Sequence, residues 1–97
     1  MDPADAPPQL ILYSRDGCHL CDDARAMLDG LIEQRRAAGL ATPELVVRDI
    51  ATNPDWERAW FATIPVVELG DRRLELVTSA AKLKALLATL DDVAIPA

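Results

Sequence analysis

The feature that most constrains this chain is a pair of cysteines, Cys18 and Cys21, placed between an apolar strand and an amphipathic helix. Residues 9–14 form a short apolar run that predicts a buried strand, and a loop containing Gly17 follows it. From Leu20 onward the apolar residues recur at helical spacing. Two cysteines one helical turn apart can bring their sulfurs within bonding distance. This context predicts redox or metal chemistry at the pair.

A helix N-terminus favours a thiolate, and Cys18 is predicted to occupy the cap position. Unpaired backbone N–H groups and the helix dipole stabilise negative charge there. Cys21 lies one turn further in, so we expect it to be more shielded and to have a higher pKa than Cys18. Cys18 is therefore the candidate attacking sulfur and Cys21 the candidate resolving sulfur. His19 is a candidate for tuning the pKa of Cys18, although an exposed spacer without that role is an equally good interpretation.

The patterns along the rest of the chain predict a single α/β domain. The predicted elements are a strand at 9–14, a helix from residue 20 that Gly39 ends, a strand at 44–50, a short helix capped by Asn53 that runs from Pro54 to about Ala62, a hairpin of strands at 66–69 and 72–76, and a final helix capped by Thr78 or Ser79. This β-α-β-α-β-β-α order predicts a mixed four-stranded sheet flanked by three helices. We expect residues 1–8 to be a flexible extension, residues 9–90 the folded domain and residues 91–97 a tail. Gly30 is expected to allow close packing of the first helix on the sheet.

Composition limits the classes of partner. The 97 residues are 51% hydrophobic and 27% charged, which is typical of one globular domain. A net charge of −6 disfavours nucleic acid and anionic membrane surfaces as partners. No run reaches the roughly 20 apolar residues of a membrane span, and the acidic, proline-rich start differs from a secretory signal. We therefore expect a cytoplasmic monomer without nucleic-acid or membrane partners.

Three segments resemble the glutaredoxin-like branch of the thioredoxin superfamily. Residues 12–21 are Leu-Tyr-Ser-Arg-Asp-Gly-Cys-His-Leu-Cys, residues 63–67 are Thr-Ile-Pro-Val-Val, and residues 49–50 are Asp-Ile at the end of the second strand. The Gly-Cys-His-Leu-Cys run is similar to that of a group of small bacterial glutaredoxin-like proteins. The resemblance covers about residues 9–90. It implies a thioredoxin-like fold and a thiol–disulfide oxidoreductase that serves cell redox homeostasis.

The resemblance also implies roles for residues near the pair. It gives the two cysteines the roles of nucleophile and resolving thiol, and it implies a cis peptide bond before Pro65. The backbone of Ile64 would then bind an extended substrate or glutathione. Tyr13 and Arg15, which flank the end of the first strand, are candidate substrate contacts.

Two departures from typical glutaredoxins concern glutathione. Those proteins have a basic residue shortly before the cysteine pair, where this chain has Tyr13 and Ser14. They also have a Gly-Gly pair followed by an acidic residue after the last strand, where residues 76–81 are Leu-Val-Thr-Ser-Ala-Ala. The redox pair is complete, no metal or cofactor is expected, and glutathione remains only a candidate reductant.

The leading hypothesis is a dithiol oxidoreductase that reduces disulfides in proteins or small molecules. One alternative is a metal or iron–sulfur protein that shares a site across a dimer, since one pair of cysteines supplies half of a four-ligand set. Another is a thioredoxin-like interaction module without catalysis. Trp56, Trp60 and Phe61 are interpreted as packing residues rather than a substrate platform, and Arg72 and Arg73 as a solvated sheet edge.

Overall fold

The computed structural model describes residues 7–93, with side chains described through residue 91. Its elements are β1 (Gln9–Ser14), α1 (His19–Ala37), β2 (Glu44–Asp49), α2 (Pro54–Trp60), β3 (Val66–Leu69), β4 (Arg72–Leu74) and α3 (Ala80–Val93). The order confirms the predicted β-α-β-α-β-β-α arrangement. A 3-10 turn at Ile50–Thr52, which was not predicted, links β2 to α2.

The ends of the chain fall partly outside the described residues. Of the expected extension at 1–8, residues 1–6 lie outside, and the carbonyl of Pro8 accepts a hydrogen bond of 2.8 Å from the N–H of Glu44. Of the expected tail at 91–97, residues 91–93 continue α3, and residues 94–97 lie outside. The helices in the described part of the chain are too short or too polar to cross a bilayer.

The sheet has the strand order β2-β1-β3-β4. β1 pairs in parallel with β2 and antiparallel with β3, and Leu12 lies between Val47 and Val67 in this register. β3 and β4 form the predicted hairpin, whose turn contains Gly70 at φ +62°. The mixed four-stranded sheet expected from the sequence is therefore confirmed.

The two faces of β1 pack against different helices, because successive side chains of a strand point to opposite faces. One face contributes Leu10 and Leu12 to a core with buried residues of α1 and α3, among them Leu28 and Leu83. On the other face, the residues that pack together are Ile11, Tyr13, Cys18, Cys21, Ile50, Trp56, Trp60, Ile64 and Val66. The helices thus cover both faces of the sheet, with α2 on the side that reaches the cysteines.

Gly39 ends α1 as predicted. It takes φ +73°, which a residue with a Cβ adopts only at a cost. Its N–H donates to the carbonyl of Arg36 at 3.1 Å, and the N–H of Leu40 donates to the carbonyl of Arg35 at 2.9 Å. The prediction for Gly30 is wrong, because this residue is exposed and a Cβ there would meet no atom within 4 Å.

Three predicted ends move in the structure. β2 ends at Asp49 rather than residue 50, α2 ends at Trp60 rather than near residue 62, and β4 ends at Leu74 rather than residue 76. After α2, the N–H groups of Thr63 and Ile64 both donate to the carbonyl of Trp60, at 2.9 and 3.1 Å. After β4, the N–H of Leu76 donates to the carbonyl of Thr63 at 2.8 Å, which ties this segment to the loop before β3. The final helix begins after Ser79, whose Oγ accepts a hydrogen bond of 3.3 Å from the N–H of Lys82.

Candidate redox site

Cys18 is the N-cap residue of α1. Its backbone is extended, and Gly17 at φ +77° lets the preceding loop turn into the helix. The Sγ of Cys18 accepts a hydrogen bond of 3.1 Å from the N–H of Cys21, and its carbonyl accepts one of 3.0 Å from Asp22. The sulfur thus occupies the place that a serine or aspartate oxygen takes in an ordinary cap. Oriented backbone N–H groups at this position stabilise a negative charge on that sulfur.

The two cysteines differ in their surroundings. They form a disulfide bond with their Cα atoms 5.2 Å apart. Cys18 is half-buried, whereas Cys21 is 2% exposed and packs with residues of the strands and the 3-10 turn, such as Ile50 and Val66. Cys18 is therefore the cysteine that is open to approach from solvent, whereas Cys21 lies in the packed interior.

The loop before β3 lies beside the cysteine pair. Ile64 packs in the same cluster as Cys18 and Cys21, and the Ile64–Pro65 peptide bond is cis, as the resemblance implies. The N–H of Val77 donates to the carbonyl of Pro65 at 3.2 Å. The N–H of Ile64 is already engaged, because it donates to the carbonyl of Trp60 at 3.1 Å. That donor has an internal partner and would have to give it up to bind a substrate backbone.

Tyr13 lies inside the packing rather than at the surface, in contrast to the expected substrate contact. It is 5% exposed, and its ring centroid is 5.8 Å from each of the rings of Trp56 and Trp60. Its hydroxyl donates to Oε1 of Glu68 at 3.0 Å and accepts from Nη1 of Arg48 at 3.2 Å. Burial, followed by the hydrogen bond to Glu68, raises the pKa of Tyr13 above its usual value of 10.0. A side chain held in this way supports the site from within.

Arg15 and His19 are both exposed close to the pair. Arg15 lines a polar hollow at the ends of β1 and β2 with Asp22, Arg25, Asp49 and Cys21. His19 is the first residue of α1 and precedes the helical turn that holds Cys21. The structure thus brings Arg15 to the side of the buried sulfur and keeps His19 in solvent.

The aromatic residues of α2 divide into two kinds. Trp56 and Trp60 are half-buried packing residues, as expected, whereas Phe61 is 64% exposed and contradicts that interpretation. Guanidinium groups cover the two indoles, with the Cζ of Arg48 5.2 Å from the ring centre of Trp56 and that of Arg73 4.8 Å from that of Trp60. Arg73 was expected only to keep the sheet edge solvated, but in the structure it also packs its guanidinium group on the ring of Trp60.

Metal binding by this chain alone has little structural basis. Within residues 7–93, no three side chains of the His, Cys, Asp and Glu types gather in a way that could hold a metal ion. The Cys18–Cys21 pair therefore stands as a two-sulfur centre in one chain.

Comparisons with known proteins agree with this geometry. The model of the glutaredoxin-like domain (DUF836) matches residues 9–91. A comparison with curated protein sequences gives no match. A structural-genomics target protein from X. campestris, solved by X-ray crystallography, is 32% identical over 82% of this chain and 96% of its own, with a TM-score of 0.64.

Two further solved structures extend the likeness. A protein from Nitrosomonas europaea, solved by NMR, is 28% identical over 90% of this chain and 99% of its own, with a TM-score of 0.65. Thioredoxin 1 from Thermosipho africanus is 18% identical over 88% of this chain and 96% of its own, with a TM-score of 0.57, which shows a common fold. The chain has the thioredoxin-like fold with a Cys18–Cys21 pair at the start of α1, and it belongs to the glutaredoxin-like domain family.

Proposed function

We propose that the protein is a dithiol thiol–disulfide oxidoreductase that cycles between a Cys18–Cys21 dithiol and the disulfide. The observation that carries this proposal is the pairing of a half-buried Cys18 sulfur, which accepts the Cys21 N–H at 3.1 Å, with a buried Cys21 sulfur bonded to it. The helix start lowers the cost of a thiolate at Cys18, and the second thiol lies within bonding distance.

The reaction consists of two exchanges. The Cys18 thiolate attacks one sulfur of a partner disulfide, the partner S–S bond breaks, and the other partner sulfur leaves as a thiolate that takes a proton from water. The Cys21 thiol gives its proton to water, and its thiolate attacks the Sγ of Cys18. The intramolecular disulfide forms and the second partner sulfur leaves. The partner gains two electrons, and the Cys18–Cys21 pair loses two.

A thiol or dithiol reductant must then return the disulfide to the dithiol. Such donors are maintained in the cytoplasm, and we propose that the protein works there. Glutathione is one candidate donor, although the basic residue before the cysteine pair and the Gly-Gly-acid run of typical glutaredoxins are absent here.

The experiment adds dithiobis(nitrobenzoate), a small disulfide whose product thiolate is coloured, to the reduced protein and to its reduced Cys18→Ser and Cys21→Ser variants, with no other reductant present. The unmodified protein should release two coloured thiolates per molecule and become the Cys18–Cys21 disulfide. Cys21→Ser should release one and stop as a mixed disulfide at residue 18, seen by mass spectrometry, and Cys18→Ser should lose the rapid release. Lys84→Ala, an exposed substitution on α3, serves as the control and should react as the unmodified protein does. Release by Cys18→Ser at the unmodified rate would refute the proposal.

A further inference from the structure

β2 forms one edge of the sheet, and its outer side is open. In the strand order β2-β1-β3-β4, one side of β2 pairs with β1, and no other strand of the described chain lies on its opposite side. The N–H of Glu44 donates to the carbonyl of Pro8, so the backbone groups of Glu44 point toward β1. Because successive residues of a strand direct these groups to opposite sides, those of Leu45 and Val47 point away from β1. Within residues 7–93 these outward groups have no backbone partner.

The two edges of the sheet differ in how well they resist pairing with another strand. β4 is three residues long and carries Arg72 and Arg73, and both shortness and charge keep an edge strand from joining a neighbour. β2 has six residues, and its centre at 45–47 is entirely apolar. Val47 is 38% exposed there. A longer, apolar and open edge is the kind of surface that pairs with a further chain.

Opposite charges flank the apolar centre of β2, with Glu44 at its start and Arg48 near its end. Both side chains lie on one face of the sheet, since they are four residues apart. Arg48 is held in place, because its Nη1 donates to the hydroxyl of Tyr13 at 3.2 Å and its Cζ lies 5.2 Å from the ring centre of Trp56. Glu68 binds the same hydroxyl rather than Arg48 itself. Among the described residues, neither Glu44 nor Arg48 forms an ion pair within 4.0 Å.

We propose that two copies of this chain form a dimer by antiparallel pairing of their β2 strands, with Leu45 opposite Val47 of the second copy. Each such pair exchanges two backbone hydrogen bonds, and the two-fold axis creates two pairs, so four bonds join the copies. Val46 lies opposite its own equivalent on the axis. Glu44 lies opposite Arg48 of the second copy, and the same contact is repeated on the other side of the axis. This inference departs from the monomer expected from the sequence and does not depend on the proposed redox function.

The neighbouring registers fit less well. A shift that sets Leu45 opposite its own equivalent places Val47 opposite Pro43, which has no N–H to donate. A shift in the other direction sets Val47 opposite its own equivalent and places Leu45 opposite Asp49, where β2 ends. Neither shift keeps the two ion pairs. The charges and the apolar centre therefore select the same register.

The net charge limits the strength of this dimer. Each copy carries a charge of −6, so two copies repel each other at long range. Salt at about 0.15 M screens that repulsion beyond about 8 Å, whereas charges on directly opposed residues of adjacent strands lie closer together than this. A single pair of strands is also a small interface. The dimer is therefore expected to be weak and to form at high protein concentration.

Sedimentation equilibrium with a matched pair of variants tests the interface. At about 0.15 M salt, the unmodified protein should change from monomer to dimer between about 10 μM and 1 mM, as a small interface allows. Glu44→Arg sets like charges opposite each other in both pairs and should raise the dissociation constant about tenfold. Glu75→Arg is the control, because it changes the net charge equally but follows β4 at the opposite edge, and it should change the dissociation constant by no more than about twofold. Both variants should react with dithiobis(nitrobenzoate) as the unmodified protein does.

Cross-linking tests which edge pairs. In a chain that lacks the native thiols through Cys18→Ser and Cys21→Ser, Val46→Cys places one thiol of each copy on the two-fold axis. The Cα atoms of such an opposed pair are about 4.5 Å apart, which is within the range of a disulfide. Oxidation by diamide, which takes up two electrons as the disulfide forms, should therefore link this variant into dimers. Arg73→Cys in the same background, on β4, should remain unlinked.

Three results would overturn the inference. One is a protein that stays monomeric at about 1 mM, and another is an equal effect of Glu44→Arg and Glu75→Arg on the dissociation constant. The third is cross-linking of Arg73→Cys in place of Val46→Cys, which would assign the contact to β4.

Discussion

The N–H of Cys21 points at the Sγ of Cys18, 3.1 Å away, so the sulfur that caps α1 belongs to the less buried of the two cysteines. We expect the same N–H to stabilise a thiolate at residue 18 in the reduced protein. A single local geometry would then set both the start of the helix and the reactivity of the site.

This geometry predicts that the pKa of Cys18 in the reduced protein lies below that of an ordinary thiol, about 8.5. Alkylation by iodoacetamide should modify Cys18 first, and its rate should reach half its maximum at a pH below that value. Peptide mapping identifies the modified cysteine. Faster alkylation of Cys21, or equal rates at the two positions, would contradict the assignment.

Tyr13 should lose its proton at a higher pH than an ordinary tyrosine. Its pKa is raised above 10.0 by burial first and then by the hydrogen bond to Glu68. A raised pKa in the folded state gives stability that is present below the unfolded pKa and lost as the pH rises through the folded pKa. Tyr13 is the single tyrosine of the chain, so absorbance at the phenolate band reports it directly. Glu68→Gln should lower the midpoint, and a midpoint at the ordinary value in the unmodified protein would refute the claim.

The ion pair between Arg35 and Asp91 should contribute to stability but not to turnover. Nη2 of Arg35 lies 2.6 Å from Oδ1 of Asp91, its Nε donates to the carbonyl of Ala41 at 2.8 Å, and its side chain is only 11% exposed. Arg35→Gln should lower the free energy of unfolding by about 1–3 kcal/mol, because hydrogen bonds to charged groups are lost.

Arg36→Gln is the matched control in the same helical turn. The pair of Arg36 with Glu33 is 59% and 68% exposed, so its loss should change stability by less than about 0.5 kcal/mol. Urea denaturation measures both variants. Similar values for the two arginines would show that the α1–α3 contact does not depend on this pair.

Gly30, within α1, and Gly39, just after it, should respond to alanine in opposite directions. Gly30 lies within the helix in open space, so Gly30→Ala should stabilise the protein by about 0.5–1 kcal/mol. Gly39 has φ +73°, so Gly39→Ala should destabilise it by about 1 kcal/mol or more. Thermal unfolding compares the two, and changes of the same sign would contradict the backbone argument.

Local patterns in the sequence were enough to predict the elements and the position of the cysteines. Asn53 and Pro54 mark the start of α2 in the sequence, and the Asn53 side chain accepts a hydrogen bond from the N–H of Asp55 as an N-cap does. Gly39 marks the end of α1 for an equally local reason. Signals of this kind involve neighbours in the chain, so they can be recognised without knowing the fold.

Contacts between distant residues could not be predicted in this way. Tyr13 finds Glu68 and Arg48, which are 55 and 35 residues away, and only the strand register places them together. The 64% exposure of Phe61 is a property of its place just after the end of α2. The hydrogen bond from the N–H of Leu76 to the carbonyl of Thr63 joins two loops that are far apart in the sequence. Leu20 fits the apolar spacing of α1 in the sequence, but the structure leaves it 46% exposed.

The central claim is that Cys18 and Cys21 form a reversible redox couple, and a redox titration tests it most directly. The protein is equilibrated with glutathione buffers and, separately, with a dithiol standard, and its thiols are counted by mass spectrometry after alkylation. The account predicts a two-electron transition between roughly −180 and −300 mV, the range of catalytic dithiols. A disulfide that stays oxidised below about −300 mV, as structural disulfides do, would contradict it.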